Sequence, residues 1–292
     1  MHYQIRFFMS SSTKKTKVIN FYQLKGGVGK TTLTCLVANE LIWQDILLKQ
    51  ENPQEPFCVK DPLRVMVLDI DMQSSISTLR TEEIAILRAG GDGNRDLLNE
   101  MIKQKPWHKY LFEKYQYLYA TYGWRCFDEA IISSTSTSVE KAINLIQSNQ
   151  YDYVFMDFPG SYDQEHTGEL LLYTEYLLIP CDLNSQLDVE AAKKFLNDIA
   201  DVEFYQLRNI AFVANKHRVD SIRNKRNQAL IEESTNLHFL NTKVKYCEYF
   251  KTDFLSTVYP RSVNLNLLTG AVTINNNMQS IIDLTQEIKT LI

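Results

Sequence analysis

The sequence predicts an α/β fold, a mostly parallel twisted sheet flanked by helices on both faces. Two observations carry this. Five short runs are almost wholly apolar, which suits strands buried on both faces. Helical stretches lie between several of them, and strand–helix alternation marks a parallel sheet with helical crossovers. Ligands of such sheets sit at the carboxyl ends of the strands. The residues that end each run are therefore the ones to read for chemistry.

The first run, V-I-N-F-Y at 18–22, leads through a glycine-rich turn into a helix over 31–50. A three-proline loop, 51–62, precedes the second run, R-V-M-V-L-D at 64–69. A-G-G-D-G-N at 89–94 reads as a flexible turn. Beyond it, 107–127 holds Tyr110, Phe112, Tyr115, Tyr117, Tyr119, Tyr122 and Trp124. This segment reads as an added helical layer packed on the domain, in preference to a base-stacking surface. A helix over 139–148 precedes the third run, Y-D-Y-V-F-M-D at 151–157. The fourth, Y-L-L-I-P at 176–180, is followed by a helix over 188–202, and N-I-A-F-V-A-N at 209–215 is the fifth.

The chain reads as a single domain, 1–292, with its core at 18–292 and an inserted aromatic-rich helical segment within 81–135. Its net charge of −4 argues against a surface that coats nucleic acid throughout, and leaves room for a local basic patch. Cys35, Cys58, Cys126, Cys181 and Cys247 form no C-x-x-C pair, which suits reduced thiols and a cytoplasmic location. No signal peptide or membrane span is expected.

The decisive segment is Q-L-K-G-G-V-G-K-T-T at 23–32. It follows a strand and opens a helix, the context in which a phosphate-binding loop is meaningful. Gly26, Gly27 and Gly29 let the backbone curl, and Val28 lies between them. Amides gathered at a helix N-terminus form an anion site. Lys30 adds a point charge for β- and γ-phosphates, the Thr31 hydroxyl can join a Mg²⁺ shell, and Thr32 can contact a phosphate oxygen. ATP and Mg²⁺ are the expected cofactors. The ordinary pattern needs glycine at Leu24; a second lysine, Lys25, stands at the start of the loop instead.

K-G-G-V-G-K-T resembles the signature of the ParA/MinD family of deviant P-loop ATPases. The resemblance covers roughly Val18 to the end. It implies that Lys25 reaches the partner's phosphates across an ATP-sandwiched homodimer, as a cation delivered in trans. It assigns Asp71, in D-I-D-M-Q, to the first switch, where it positions the attacking water, and counts Asp71 with Thr31 and Asp157 in the metal's surroundings. Asp157, ending an apolar strand before Pro159-Gly160, matches the aspartate that holds Mg²⁺ through water. Asn215 matches the asparagine that reads the adenine edge, in preference to a simple strand-end turn residue.

Four functions share such a site. DNA partition needs a basic patch, and Arg218, Arg223, Lys225 and Arg226, with Lys216 and Arg261, supply candidates. Lys243, Lys245 and Lys251 could extend it. A membrane positioner needs a terminal helix with a basic face, whereas the stripe of Ile281, Ile282, Leu284, Ile288 and Leu291 carries Asp283 and Glu287 on its polar side, so core packing is expected. An iron–sulfur donor needs paired thiolates, and an autokinase a tyrosine-rich tail. Partition is the leading expectation: an ATP homodimer on nonspecific duplex DNA at the nucleoid, released by a centromere-binding-type activator, in a plasmid or conjugative-element setting. The alternative is a MinD-like cargo-positioning ATPase. Y-P-R-S-V-N-L resembles the family's DNA-contacting segment, with Asn264 in place of an arginine.

Overall fold

The computed structural model describes residues 15–49, 63–71, 75–91, 95–104, 136–160, 164–200, 209–218, 221–246, 263–265 and 272–292. The aromatic stretch 107–127, Gln73 and Arg261 lie outside them, as do Cys58, Cys126 and Cys247.

In chain order the elements are β1 (Lys17–Phe21), α1 (Lys30–Lys49), β2 (Val65–Asp69), α2 (Ser75–Gly91), α3 (Arg95–Gln104), α4 (Ser136–Gln147), β3 (Tyr153–Asp157), α5 (Gln164–Leu171), β4 (Tyr176–Cys181), α6 (Gln186–Ala200), β5 (Asn209–Ala214), α7 (Ile222–Thr235), β6 (Val263–Leu265), β7 (Val272–Ile274) and α8 (Gln279–Leu291). Among the described residues the five expected strands and the helices expected over 31–50, 139–148 and 188–202 are present, with ends shifted by a few residues. One expectation is corrected. Ala89, Gly90 and Gly91 do not open a turn; they form the last residues of α2. Glycine lowers helix propensity by about 1 kcal/mol and does not forbid a helix that neighbouring residues have already nucleated.

Five strands form one parallel sheet in the order β2-β3-β1-β4-β5. Alternation along each strand divides its side chains between two cores. Ile19 and Phe21 of β1, Val65 and Val67 of β2 and Phe155 of β3 face the layer of α1 and α8. Val18, Met66, Val154, Met156, Leu177 and Ile179 face the layer of α4, α5 and α6. Helix α1 is buried along most of its length, including Leu33, Leu36, Leu41 and Trp43, so its periodicity carries little amphipathic signal. The short pair β6–β7 is antiparallel and places Asn264 opposite Thr273.

A polar residue ties the central strand to both sides. Asn20 donates to Thr174 Oγ1 (2.5 Å) and accepts from Met156 N–H (2.8 Å), so its burial leaves its amide paired. Strand β1 thus lies between β3 and β4, where consecutive connections leave in opposite directions. This is the topological switch point, and the crevice outside its carboxyl end is the natural ligand position.

Helix α8 packs on α1, with Ile281, Leu284 and Ile288 in the core, as its charge pattern predicted. Ile282 is half-buried and Leu291 exposed. Leu284→Ala should destabilise the chain by about 2–5 kcal/mol through lost burial and a residual cavity. Leu291→Ala should change it by less than about 0.5 kcal/mol. Urea unfolding of both variants measures the difference.

Candidate functional site

The chain leaves β1 at Phe21 and begins α1 at Lys30, so the intervening loop crosses the sheet's carboxyl edge at the switch point. Gly27 (φ 73°) and Gly29 (φ 99°) occupy the left-handed region that side chains resist. At Gly29 a Cβ would also stand 2.4 Å from Asn215 Nδ2 and would displace that amide from Val28 O. Leu33 N–H donates to Gly29 O (2.9 Å), closing the first turn of α1 directly against the loop. The first amides of α1 lack intrahelical acceptors by construction.

The Gly27 and Val28 carbonyls point toward the end of β5. Gly27 O accepts from Lys216 Nζ and Val28 O from Asn215 Nδ2 (2.6 Å), while Lys30 Nζ donates to Lys25 O (3.1 Å). In a trans peptide the N–H opposes the C=O, so the Val28 and Gly29 amides point away from β5. The result is a concave set of donors at a helix N-terminus, which attracts an anion.

Lys30 is buried, and burial pulls its ammonium below the ordinary lysine range against the opposing attraction of Asp157 and Asp71. Lys25 behaves differently. It turns to Asp188 at the start of α6, pairing with Oδ1. Asp188 is held in turn by Ser185 Oγ (2.8 Å), and its own amide donates to Ser185 O (3.1 Å).

The carboxylates stand at one level of the sheet because β2 and β3 are in register, Asp69 opposite Asp157. Both are fully buried. Burial pushes Asp157 up to about 7, with the neighbouring Asp69 adding to it and Thr31 and Lys30 opposing. The Thr31 hydroxyl lies near enough to favour the charged carboxylate, yet neither Asp157 oxygen receives a hydrogen bond of ordinary distance and angle. Two unpartnered buried carboxylate oxygens beside a hydroxyl and a phosphate cradle fit a hydrated dication. Thr31 and Asp157 are the residues that could hold one. Among the described residues no group of three or more His, Cys, Asp or Glu gathers as a cage, and a phosphate-bound Mg²⁺ needs none. Asp69 is also raised by burial, and Ser77 N–H donates to its Oδ2 (2.8 Å), which anchors α2 to the edge of the site. Asp71 lies just past β2, half-buried, and close enough to act electrostatically on Lys30 and Asp157. Gly160 abuts the loop; a Cβ there would lie 3.6 Å from Gly26 Cα and 3.7 Å from Lys30 Nζ.

The structure thus brings Lys25, Gly26, Gly27, Val28, Gly29, Lys30, Thr31, Thr32, Asp71, Asp157 and Asn215 to one crevice. It places Asn215 as a brace behind the loop. It moves Lys216 out of the basic patch, because its ammonium is taken by Gly27 O. Arg218 stacks over Tyr246, 4.6 Å from the ring centroid. Arg223, Lys225 and Arg226 lie exposed on α7, whose N-cap Ser221 accepts from Asn224 N–H (3.1 Å). Asp188 was missed by sequence reasoning. Its signal was available, since Ser185-x-x-Asp188 has capping-box spacing before a helix.

No protein-family model matches the chain, and no curated protein matches it. Solved structures do. The chain is similar to the MinD cell division protein of Aquifex aeolicus, with 18% identity over 94% of this chain and 98% of that one and a TM-score of 0.54. A ParA-family ATPase from Chlorobium tepidum TLS gives 17% identity, 94% and 98% coverage and a TM-score of 0.54. An ATP complex of a Cyanothece McdA variant gives 14% identity, 96% and 98% coverage and a TM-score of 0.50. The chain therefore has the parallel α/β fold of the MinD and ParA ATPases.

The position of Asp157 has a pH consequence. Its carboxyl retains a proton in the folded, ligand-free chain up to about pH 7, whereas the unfolded value is 3.8. Between these limits the folded state binds more protons, so stability falls as pH rises through the window. Thermal unfolding of the ligand-free wild type from about pH 5 to about pH 8 should show this decline, and Asp157→Asn should lose most of it.

Proposed function

We propose that this chain belongs to the ParA/MinD family and is an ATP-dependent, dimerising switch ATPase that acts in DNA partition. The observation that carries the reading is the loop at 24–30. Its two left-handed glycines, outward carbonyls and helix-terminal amides form a phosphate cradle, and a buried Lys30 closes it.

Each residue then has a task. The amides of 26–32 and Lys30 bind the β- and γ-phosphates, with Thr32 at a phosphate oxygen. Mg²⁺, held by Thr31 and through water by Asp157, neutralises phosphate charge when bound. Asp71 positions the attacking water. Asn215, braced on Val28 in the ligand-free chain, is the candidate to read the adenine edge. Lys25 serves the partner's nucleotide. In the single chain Asp188 holds Lys25 in cis, so dimerisation must exchange one anionic partner for another. Hydrolysis is consequently slow until dimers form and a partner protein acts on them.

DNA contact is assigned to Arg223, Lys225 and Arg226 on α7, with Arg218 and Arg261. The first three are exposed together on one helical segment, and dimerisation doubles them. A second reading, a cargo-positioning ATPase acting on a protein surface, draws support from apolar neighbours. Ile222 and Leu230 are exposed beside Arg223. A membrane role for the terminal helix is disfavoured because its apolar side packs on α1.

Lys30→Ala should weaken ATP binding about a hundredfold or more by calorimetry, the scale of a lost charge-assisted contact. Light scattering of the wild type should show ATP-dependent dimers. Lys25→Ala should bind ATP without hydrolysing it, and Asp71→Ala should dimerise and hydrolyse poorly. Retention of the ATP-bound wild type on duplex DNA should fall steeply with salt, and charge reversal at Arg223 and Arg226 should flatten that slope. Dimers that hydrolyse ATP yet show no retention at low salt would favour the protein-surface reading.

A further inference from the structure

We propose that Lys216 is a positioning residue of the phosphate loop. Together with Asn215 it braces two successive outward carbonyls and holds the loop's amides in their anion-binding arrangement before nucleotide arrives. The inference rests on the nucleotide reading above.

Successive side chains of an extended strand point to opposite faces. Asn215 and Lys216 follow β5 directly, so an extended continuation would send only one of them to the loop. Both reach it. Asn215 Nδ2 donates to Val28 O (2.6 Å), and Lys216 Nζ donates to Gly27 O, the adjacent carbonyl. The backbone at Lys216 is what permits this. Its φ of 55° lies in the left-handed region, uncommon for a residue with a side chain, and the reversal brings the second side chain round to the same side as the first. Such a conformation persists only where the surroundings fix it. Here Asn215 N–H donates to Cys181 O (2.9 Å), His217 N–H to Val244 O (2.9 Å) and Tyr246 N–H to His217 O (2.8 Å), which pins the segment on either side.

Glycine would adopt this backbone without strain. A lysine at such a position is explained by what glycine lacks, an ammonium that reaches the loop. Gly27 itself is left-handed, with no Cβ contact within 4 Å to steady it. The peptide between Gly27 and Val28 is fixed at one end by the buried Val28 side chain and at the other by the bond that Lys216 donates to Gly27 O. Holding the carbonyl outward holds the Val28 amide inward, and binding no longer has to order it.

Lys216→Gly tests this, because it keeps the backbone and removes the ammonium. In the nucleotide-free protein, hydrogen exchange at the amides of 26–30 should accelerate while β1 and β3 stay protected. Calorimetry should show weaker binding of ADP and ATP alike, by about tenfold, the scale of one charge-assisted hydrogen bond. KM should rise in step, with kcat within about twofold of wild type. Lys216→Arg, which restores a cationic donor, should recover most of the loss. If Lys216→Gly fails to fold, Lys216→Asn, also tolerant of the left-handed region, carries the same comparison. Unchanged exchange and affinity would overturn the proposal. So would a loss confined to ATP, which would make Lys216 a ligand of the γ-phosphate. The exchange measurement needs no nucleotide, so it tests the brace even if the chain binds none.

Discussion

A peptide group cannot turn its N–H one way without turning its C=O the other. A loop that gathers amides on its concave side must therefore present carbonyls on its convex side, and those carbonyls need donors where water is displaced. The loop meets that constraint at Gly27 and Val28 with two donors, Lys216 Nζ and Asn215 Nδ2. Both come from the end of β5, two strands from β1 in the sheet. The anion site is thus a property of the sheet as much as of the loop, since β5 must be in register with β4 for Asn215 and Lys216 to reach the Val28 and Gly27 carbonyls.

Charge is arranged by the same sheet. In-register β2 and β3 bring Asp69 and Asp157 side by side under the loop, where burial disfavours two full negative charges. Lys30 closes the cradle above them and loses solvation in doing so. Binding an anion at the amides and a cation at Asp157 would relieve both. The ligand-free site is held away from its electrostatic optimum, which gives nucleotide binding something to change. Lys25, tied to Asp188 at the head of α6, is the one loop lysine turned away from the cradle. It links the site to a helix that packs against α7, where the exposed arginines stand.

Much of the fold was legible because the strands are short, apolar and regularly spaced. The period-2 division of Val18, Ile19 and Phe21 between two cores follows from the strand alone. The phosphate loop was legible because its glycines and lysines are fixed by backbone geometry, which is local. Asn20 and Asp188 carry a meaning that is relational: one joins β1 to β3 and to the turn before β4, the other pairs with a lysine 163 positions away. Lys216 was grouped with its basic neighbours, since sequence cannot tell that a left-handed turn sends it elsewhere. Ala89 to Gly91 were read as a turn from composition, while the preceding helix carried them along.

The central claim is that loop amides, ordered from outside, bind phosphate. Amide chemical shifts measured while ligand is titrated into ¹⁵N-labelled protein test it most directly. ADP and ATP should first shift the resonances of Gly26, Gly27, Gly29, Lys30 and Thr31, and adenosine should leave those five unmoved. Equal shifts with adenosine, or phosphate-dependent shifts that spare the loop and appear elsewhere, would contradict it.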